Sequence, residues 1–306
     1  MALSRSAQSD LLLVLVTLVA AISWMFSKEA IVLMPPIMFM AVRFLLAALC
    51  LLIFSAAHLR RLTFPLLRRS LVVGSFFGLA MTSWVMGLAT GDTMGEGAFL
   101  TSLGVILVPV VARLAFKESS PIATWLALPV AAIGLALLSL QHGFRLAPSQ
   151  GYYLTAAALF ACFYTLNTRA TTADESKQRA PVHPLAMTTI LMFVATLVTG
   201  TASWLLEFQP GSQIPVSGAL ILWVLASAII GTAMRFLMQT YAQSLSQSTH
   251  GAVILILEPI WVALISAVWF TERLDGIQLM GCAFILLALL VNRWQAITTG
   301  IKKWKP

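Results

Sequence analysis

The chain has 306 residues, of which 59% are apolar and 10% charged, against roughly 45–50% and about 25% in soluble domains. That excludes a soluble globular protein, and it leaves no room for a soluble catalytic domain, because ten spans of about 20 residues take roughly 200 and leave about ten per connection. The net charge of +8, from 19 basic and 11 acidic residues, reads as the Lys and Arg excess of cytoplasmic loops rather than as nucleic-acid binding.

Arg5 precedes the first apolar run, 11–27, which contains Trp24, Met25 and Phe26 where a cleavage site needs small residues, so it reads as an uncleaved helix. Further runs follow at 31–57, 71–90, 97–116, 121–140, 151–168, 182–206, 217–241, 248–271 and 275–294. Each is long enough, or nearly so, to cross the bilayer as a helix, which makes the expected fold an all-α membrane protein of ten transmembrane helices. Breakers separate the runs at Pro35-Pro36, Gly91-Asp92, Ser119-Ser120-Pro121, Pro148 to Gly151, Pro181, Pro210-Gly211 and Asp275-Gly276. The longest polar segment, 171–184, reads as a linker-like cytoplasmic loop. Cys50, Cys162 and Cys282 lie far apart in apolar runs, which supports neither a disulfide frame nor a zinc site.

With the N-terminus placed inside, 14 Lys and Arg fall in inner segments, while Lys28, Arg145 and Arg273 fall outside, and Arg43 and Arg235 lie within spans. The asymmetry makes both termini cytoplasmic. The two halves also echo each other. Gly78-Leu79-Ala80-Met81 is answered by Gly231-Thr232-Ala233-Met234, Pro109 by Pro259 and Glu118 by Glu272, at offsets of 150 to 154 residues. Two five-helix units, 1–142 and 143–306, are expected, and an odd number of crossings turns the second upside down. Inverted repeats of this kind build carriers whose substrate site lies near the midplane and whose halves rock for alternating access.

The same residues carry a resemblance. Trp24-Met25-Phe26-Ser27-Lys28-Glu29-Ala30, Pro35-Pro36 with Arg43-Phe44-Leu45-Leu46-Ala47-Ala48-Leu49, and Ala98-Phe99-Leu100-Thr101-Ser102-Leu103 before Val108-Pro109 mark the first half. Gly231-Thr232-Ala233, Tyr241-Ala242-Gln243, Leu257-Glu258-Pro259-Ile260, Thr271-Glu272-Arg273-Leu274 and Gly281 mark the second. In order and spacing over about 290 residues the chain resembles the EamA-type ten-helix bacterial members of the drug/metabolite transporter superfamily. The resemblance implies an export carrier of the bacterial inner membrane for small metabolites such as amino acids or amphipathic compounds. It also implies a central cavity framed by helices one to four and six to nine, with five and ten peripheral. Arg235 and Met25 depart from the family pattern, so the substrate class is not inherited with it.

Ionisable groups inside spans face a bundle or cavity, since each costs about 2.5–3.5 kcal/mol on insertion scales. Arg235 lies 12 residues before Gln247, near the expected turn, and Glu258 lies 11 after it. At 1.5 Å per residue both sit roughly 16–18 Å from that turn, at equal depth for an ion pair. Arg235 reads as the holder of a substrate anion, and Glu258 as its counter-ion or a proton-coupling carboxylate; a purely structural pair is the alternative. Arg43 reads as a packing or interfacial anchor whose head snorkels to the headgroups, and Asp92 and Glu96 as solvated loop charges.

Trp24, Trp84, Tyr164 and Tyr241 offer flat apolar contact with one polar tip. Thr101, Asn167, Gln239 and Gln243 are polar groups disfavoured against lipid, and Gln239 shares a helix face with Arg235 at i, i+4. Their alternatives are interfacial belts and interhelical hydrogen bonds. Gly74 and Gly78 read as a close helix contact, and Pro109 and Pro259 as kinks with a possible gating role. His58, His142, His183 and His250 stand at span ends without a metal-ligand spacing, and neither a phosphate loop nor a nucleophile elbow occurs. The expected protein is therefore no enzyme and has no metal or cofactor; it is a monomer whose partners are a small solute, membrane lipid and a coupling proton. A lipid-linked substrate flippase or a non-transporting scaffold is the contrasting reading.

Overall fold

The computed structural model describes residues 5–117, 122–139, 147–171, 182–210, 214–245, 254, 257–292 and 294. Its regular elements are helices: α1 (Arg5–Leu33), α2 (Pro36–Leu59), α3 (Phe64–Thr90), α4 (Met94–Phe116), α5 (Ile122–Ser139), α6 (Pro148–Thr171) and α7 (Pro184–Leu206). They continue as α8 (Gly218–Ala228), a π-turn (Ile229–Met234), α9 (Arg235–Leu245), α10 (Leu257–Trp269) and α11 (Gly276–Asn292). By length and composition α1 to α4, α7 and the stretch Gly218–Gln239 can each cross a membrane; Ile122–Leu137, α10 and α11 are shorter apolar helices.

Local chemistry sets the ends. Proline opens α2 and α7 and sits in the first turn of α3, where its missing N–H has no helical partner to lose. The Ser217 side chain accepts from Leu220 N at 3.1 Å and caps α8. Lys117 closes α4 in the left-handed region at φ 58°. The eighth span differs from its reading as one continuous helix, since six residues with π geometry divide it into α8 and α9.

The described helices close a ring. α1 packs on α8, the π-turn, α9 and α10; α10 packs on α4, α4 on α6, α6 on α3, α3 on α7, α7 on α2, and α2 on α8 and the π-turn. α5 and α11 pack on each other and against α4, outside that ring. Small residues let the crossings close. A Cβ on Gly74 would stand 2.7 Å from Val194 Cβ, and one on Gly78 2.8 Å from Val198 Cβ, so α3 lies against α7 through its Gly-x-x-x-Gly edge.

The ring has a basic end, with Arg60, Arg61, Arg68, Arg69, Arg113, Lys117 and Arg169 at the ends of α2, α4 and α6 and the start of α3. The opposite end gathers carboxylates. One corrects the sequence reading: Glu96 is no solvated loop charge but the buried third residue of α4, accepting from Gln150 Nε2 of α6 at 2.6 Å. Asp92 is exposed, as expected.

Candidate functional site

Arg43 is the most deeply placed charge, only 4% exposed. Its Nε donates to Thr232 Oγ1, Nη1 to Ser27 Oγ and Nη2 to Ser23 Oγ, each at 2.8 Å. The snorkelling anchor expected of it is therefore replaced by a guanidinium held among three hydroxyls, with no carboxylate on it among the described residues. Fixing the planar fork in three places suits arginine and no other cation. Thr232 lies in the π-turn, where its hydroxyl also donates to Ser227 O, five residues back, at 2.9 Å. Beside it a Cβ on Gly231 would fall 2.3 Å from Ser23 Oγ, so only glycine lets the π-turn touch α1.

The π-turn hands the chain to Arg235, the first residue of α9. Arg235 Nη2 and Glu258 Oε2 are 3.1 Å apart, with side chains 22% and 24% exposed. Trp24 Nε1 donates to the other oxygen, Glu258 Oε1, at 3.3 Å. One carboxylate thus joins α1, α9 and α10. Arg235 Nε is buried and without a partner among the described residues, which leaves a guanidinium edge not engaged by Glu258.

Trp24, which holds Glu258, and Phe236, 5.8 Å from the Arg235 guanidinium, put aromatic rings beside this pair. Trp24 meets Trp84 edge-to-face, with centroids 4.6 Å apart, and tilts against Tyr153 at 6.3 Å. Phe44, Phe77, Phe160, Phe163 and Tyr164 form a second chain of contacts among themselves, between 5.0 and 6.4 Å. Tyr164 is 40% exposed. Such edge and offset geometries are the ones the ring quadrupoles favour.

The structure brings Trp24, Trp84, Arg235 and Glu258 together, while Tyr164 stands with Phe160 and Phe163. Others stand further off. Gln239 is half-buried one turn beyond Arg235, whereas Tyr241, six residues along and 59% exposed, is about 9 Å further down the helix. The Gln243 side chain lies outside the described residues. Asn167 is three residues past Tyr164, and its Oδ1 is buried without a partner among the described residues. The Thr101 hydroxyl donates to Gly97 O of its own helix at 2.8 Å. Pro109 lies inside α4, as expected, while Pro259 falls in the first turn of the described part of α10.

Several partners escaped sequence reasoning. Tyr153 is 2% exposed and packs where Gly87 and Gly97 leave space; only the glycines hinted at it. Trp261, one turn past Glu258, has a buried Nε1 without a partner among the described residues. At the acidic end Glu272 pairs with Lys28 Nζ, accepts from Ser266 Oγ, and accepts from Met94 N at 2.8 Å. Glu207 does the same for α2, accepting from Ile37 N and Met38 N at 2.8 Å each. Both carboxylates thus sit on the positive end of a helix. Trp269 Nε1 donates to Glu29 Oε1 at 2.8 Å and adds a further tie between α10 and α1.

At the basic end His58 and His183 stack with centroids 3.6 Å apart and planes 5° from parallel. They line a shallow pocket with Arg61, Leu62, Leu66, Val182 and Ala186. His183 also caps α7, its Nδ1 accepting from Leu185 N at 3.3 Å. Partial burial and then the neighbouring His58 hold the His183 imidazole below the usual histidine range.

The EamA-like transporter family matches residues 8–140 and again 152–294. Over 283 residues the chain is 26% identical to an uncharacterized transporter of Archaeoglobus fulgidus, covering 92% of this chain and 85% of that one. A solved crystal structure of 17% identity superposes with a TM-score of 0.59, covering 93% of this chain and 96% of that one; that likeness shows the fold alone. The chain belongs to the EamA-like transporter family and is a multi-pass membrane carrier, not an enzyme.

Proposed function

We propose that this carrier exports small metabolites, amino acids or amphipathic compounds, across the bacterial inner membrane by alternating access around a midplane cavity inside the eight-span ring. The observation that carries the reading is the Arg235–Glu258 pair. It lies where the eighth span changes helix type, is only about three-quarters buried, is bordered by aromatic rings, and keeps one guanidinium edge free of the carboxylate. π-turns often mark functional positions in helices.

Each group then has a task. Arg235 engages a carboxylate or other anion of the solute, Trp24, Trp84 and Tyr164 hold its apolar part, and Gln239 and Asn167 supply hydrogen bonds. Glu258 is the counter-ion of Arg235, or the carboxylate through which a proton couples to transport. Thr101, Tyr241 and Gln243 belong to the path on either side. Arg43, Pro109 and Pro259 shape and hinge the helices.

The packing supports two inverted halves, 1–142 and 143–306. Exchanging α1 with α6, α2 with α7, α3 with the eighth span and α4 with α10 turns α3–α6 into the eighth span against α1, α4–α6 into α10–α1, and α3–α7 into the eighth span against α2; all of these contacts occur. The family's two matched stretches, 8–140 and 152–294, fall on those halves. In our reading the basic end and both termini face the cytoplasm, with segment 171–184 as a cytoplasmic loop, and one chain carries a complete cavity and works as a monomer.

Proteoliposome counterflow tests the reading. Labelled amino acids and amphipathic anions exchange in wild type, and Arg235→Ala lowers exchange tenfold or more while the protein stays folded. Undiminished exchange in that variant removes Arg235 from the site. Absence of flux for every solute favours the flippase or scaffold instead.

A further inference from the structure

At the basic end a groove of about 450 Å³ opens between α3, α4 and α6, lined among others by Phe64, Arg68, Arg69, Val72, Leu166 and Arg169. Arg68, Arg69 and Arg169 give it three basic side chains. The rest of the lining is apolar, and Phe64 and Val72 are 78% and 47% exposed. Arg169 lies over the Phe116 ring at 3.9 Å, so its planar head is already oriented at the groove wall.

Helix phase separates this groove from the proposed cavity. Arg68 is nine residues before Phe77, and Arg169 nine after Phe160. At about 100° per residue each arginine is half a turn round from that phenylalanine. Phe77 and Phe160 are buried against each other, with centroids 6.3 Å apart. The two arginines therefore stand on the faces of α3 and α6 opposite that buried contact, which we take to be the faces that meet lipid. They do so at the helix ends, where headgroups lie.

We infer that this groove binds an anionic phospholipid, with its phosphate among Arg68, Arg69 and Arg169 and one acyl chain along Val72 and Leu166. Charge complementarity selects the headgroup, since guanidinium forks match phosphate oxygens in pairs, and basic pockets between membrane helices hold such headgroups. The apolar wall selects lipid over free phosphate. The inference needs only that the chain is embedded in a bilayer, and it stands whichever side the basic end faces.

Native mass spectrometry of the purified full chain tests it, with dioleoyl-phosphatidylglycerol, dioleoyl-phosphatidylcholine and inorganic phosphate as probes. Wild type is expected to retain one phosphatidylglycerol with at least tenfold preference over phosphatidylcholine. The R68A/R169A double variant loses that preference, whereas R60A/R61A, which removes the same charge from the same end, keeps it. Val72→Trp leaves every charge in place, fills the groove and weakens retention at least threefold; its melting temperature without lipid reports that it folds. Equal loss in R60A/R61A would mean diffuse attraction to a basic surface and overturn the site. Protection by inorganic phosphate equal to that by lipid, or equal retention of phosphatidylcholine, would overturn the lipid assignment.

Discussion

Arg43 and Thr232 are joined Nε to Oγ1 at 2.8 Å, and this bond fastens α2 to the turn from which Arg235 departs. The same guanidinium holds Ser23 and Ser27 of α1. The position of Arg235 is thus set by a residue 192 places earlier in the sequence, through a hydroxyl rather than a counter-charge.

Replacing Arg43 by Lys is expected to destabilise the carrier, because an ammonium on a flexible stem cannot satisfy three acceptors in one plane. Hydrogen bonds to charged groups contribute about 1.5–3 kcal/mol each, so the loss of two predicts about 3 kcal/mol or more. Denaturation of purified variants in mixed micelles measures it. A lysine variant as stable as wild type would refute the three-point role.

Arg235 and Glu258 should be energetically coupled. Neutralising either alone leaves its partner half-buried without its opposite charge, whereas neutralising both removes the conflict. A double-mutant cycle with Arg235→Gln and Glu258→Gln, read by thermal stability, is expected to give about 0.5–3 kcal/mol of coupling. Transport behaves otherwise: the double variant stays inactive even where stability returns. Recovery of both together would make the pair purely structural.

Glu272→Gln removes the charge that meets Lys28 and weakens the acceptor on Met94 N. Loss of a helix cap costs about 0.5–2 kcal/mol. Hydrogen exchange should therefore accelerate in the first turn of α4, and Glu207→Gln should do the same in α2. Each variant is expected to spare the other helix, and acceleration in both from either change would argue against local capping.

The His183 imidazole sits below its ordinary value because of partial burial and the His58 ring. The sign follows. The unfolded state binds more protons as pH falls through about 6.5, so stability is full while His183 is neutral and declines as pH drops from that value toward the folded one. Protonation at Nδ1 also ends the cap on Leu185 N. Melting between pH 7.5 and 5 should fall less in His183→Asn, which keeps a capping oxygen and does not titrate. Equal pH slopes would clear His183 of the effect.

Much of this was legible in the residues themselves. Hydropathy located six helices long and apolar enough to cross a membrane and the shorter apolar ones, counting from Gln247 anticipated the Arg235–Glu258 pair, and the Gly74–Gly78 spacing pointed to the α3–α7 contact. The misses have physical reasons. The π-turn is a hydrogen-bond register, and nothing in Ile229–Met234 differs in composition from an α-helix. Glu96 looked solvated because its partner Gln150 is 54 residues away, and Arg43 looked like a headgroup anchor because its three hydroxyls come from the first and eighth spans. A linear pattern records periodicity; it does not record which distant polar atom arrives.

Glu207 and Glu272 both come from late in the chain, yet they complete the amide ends of α2 and α4. During synthesis those two early helices therefore enter the bilayer with bare N–H groups, and they stay so until the translocon has released the residues that serve them. A first half made without the second would keep the problem, since both carboxylates lie in the second.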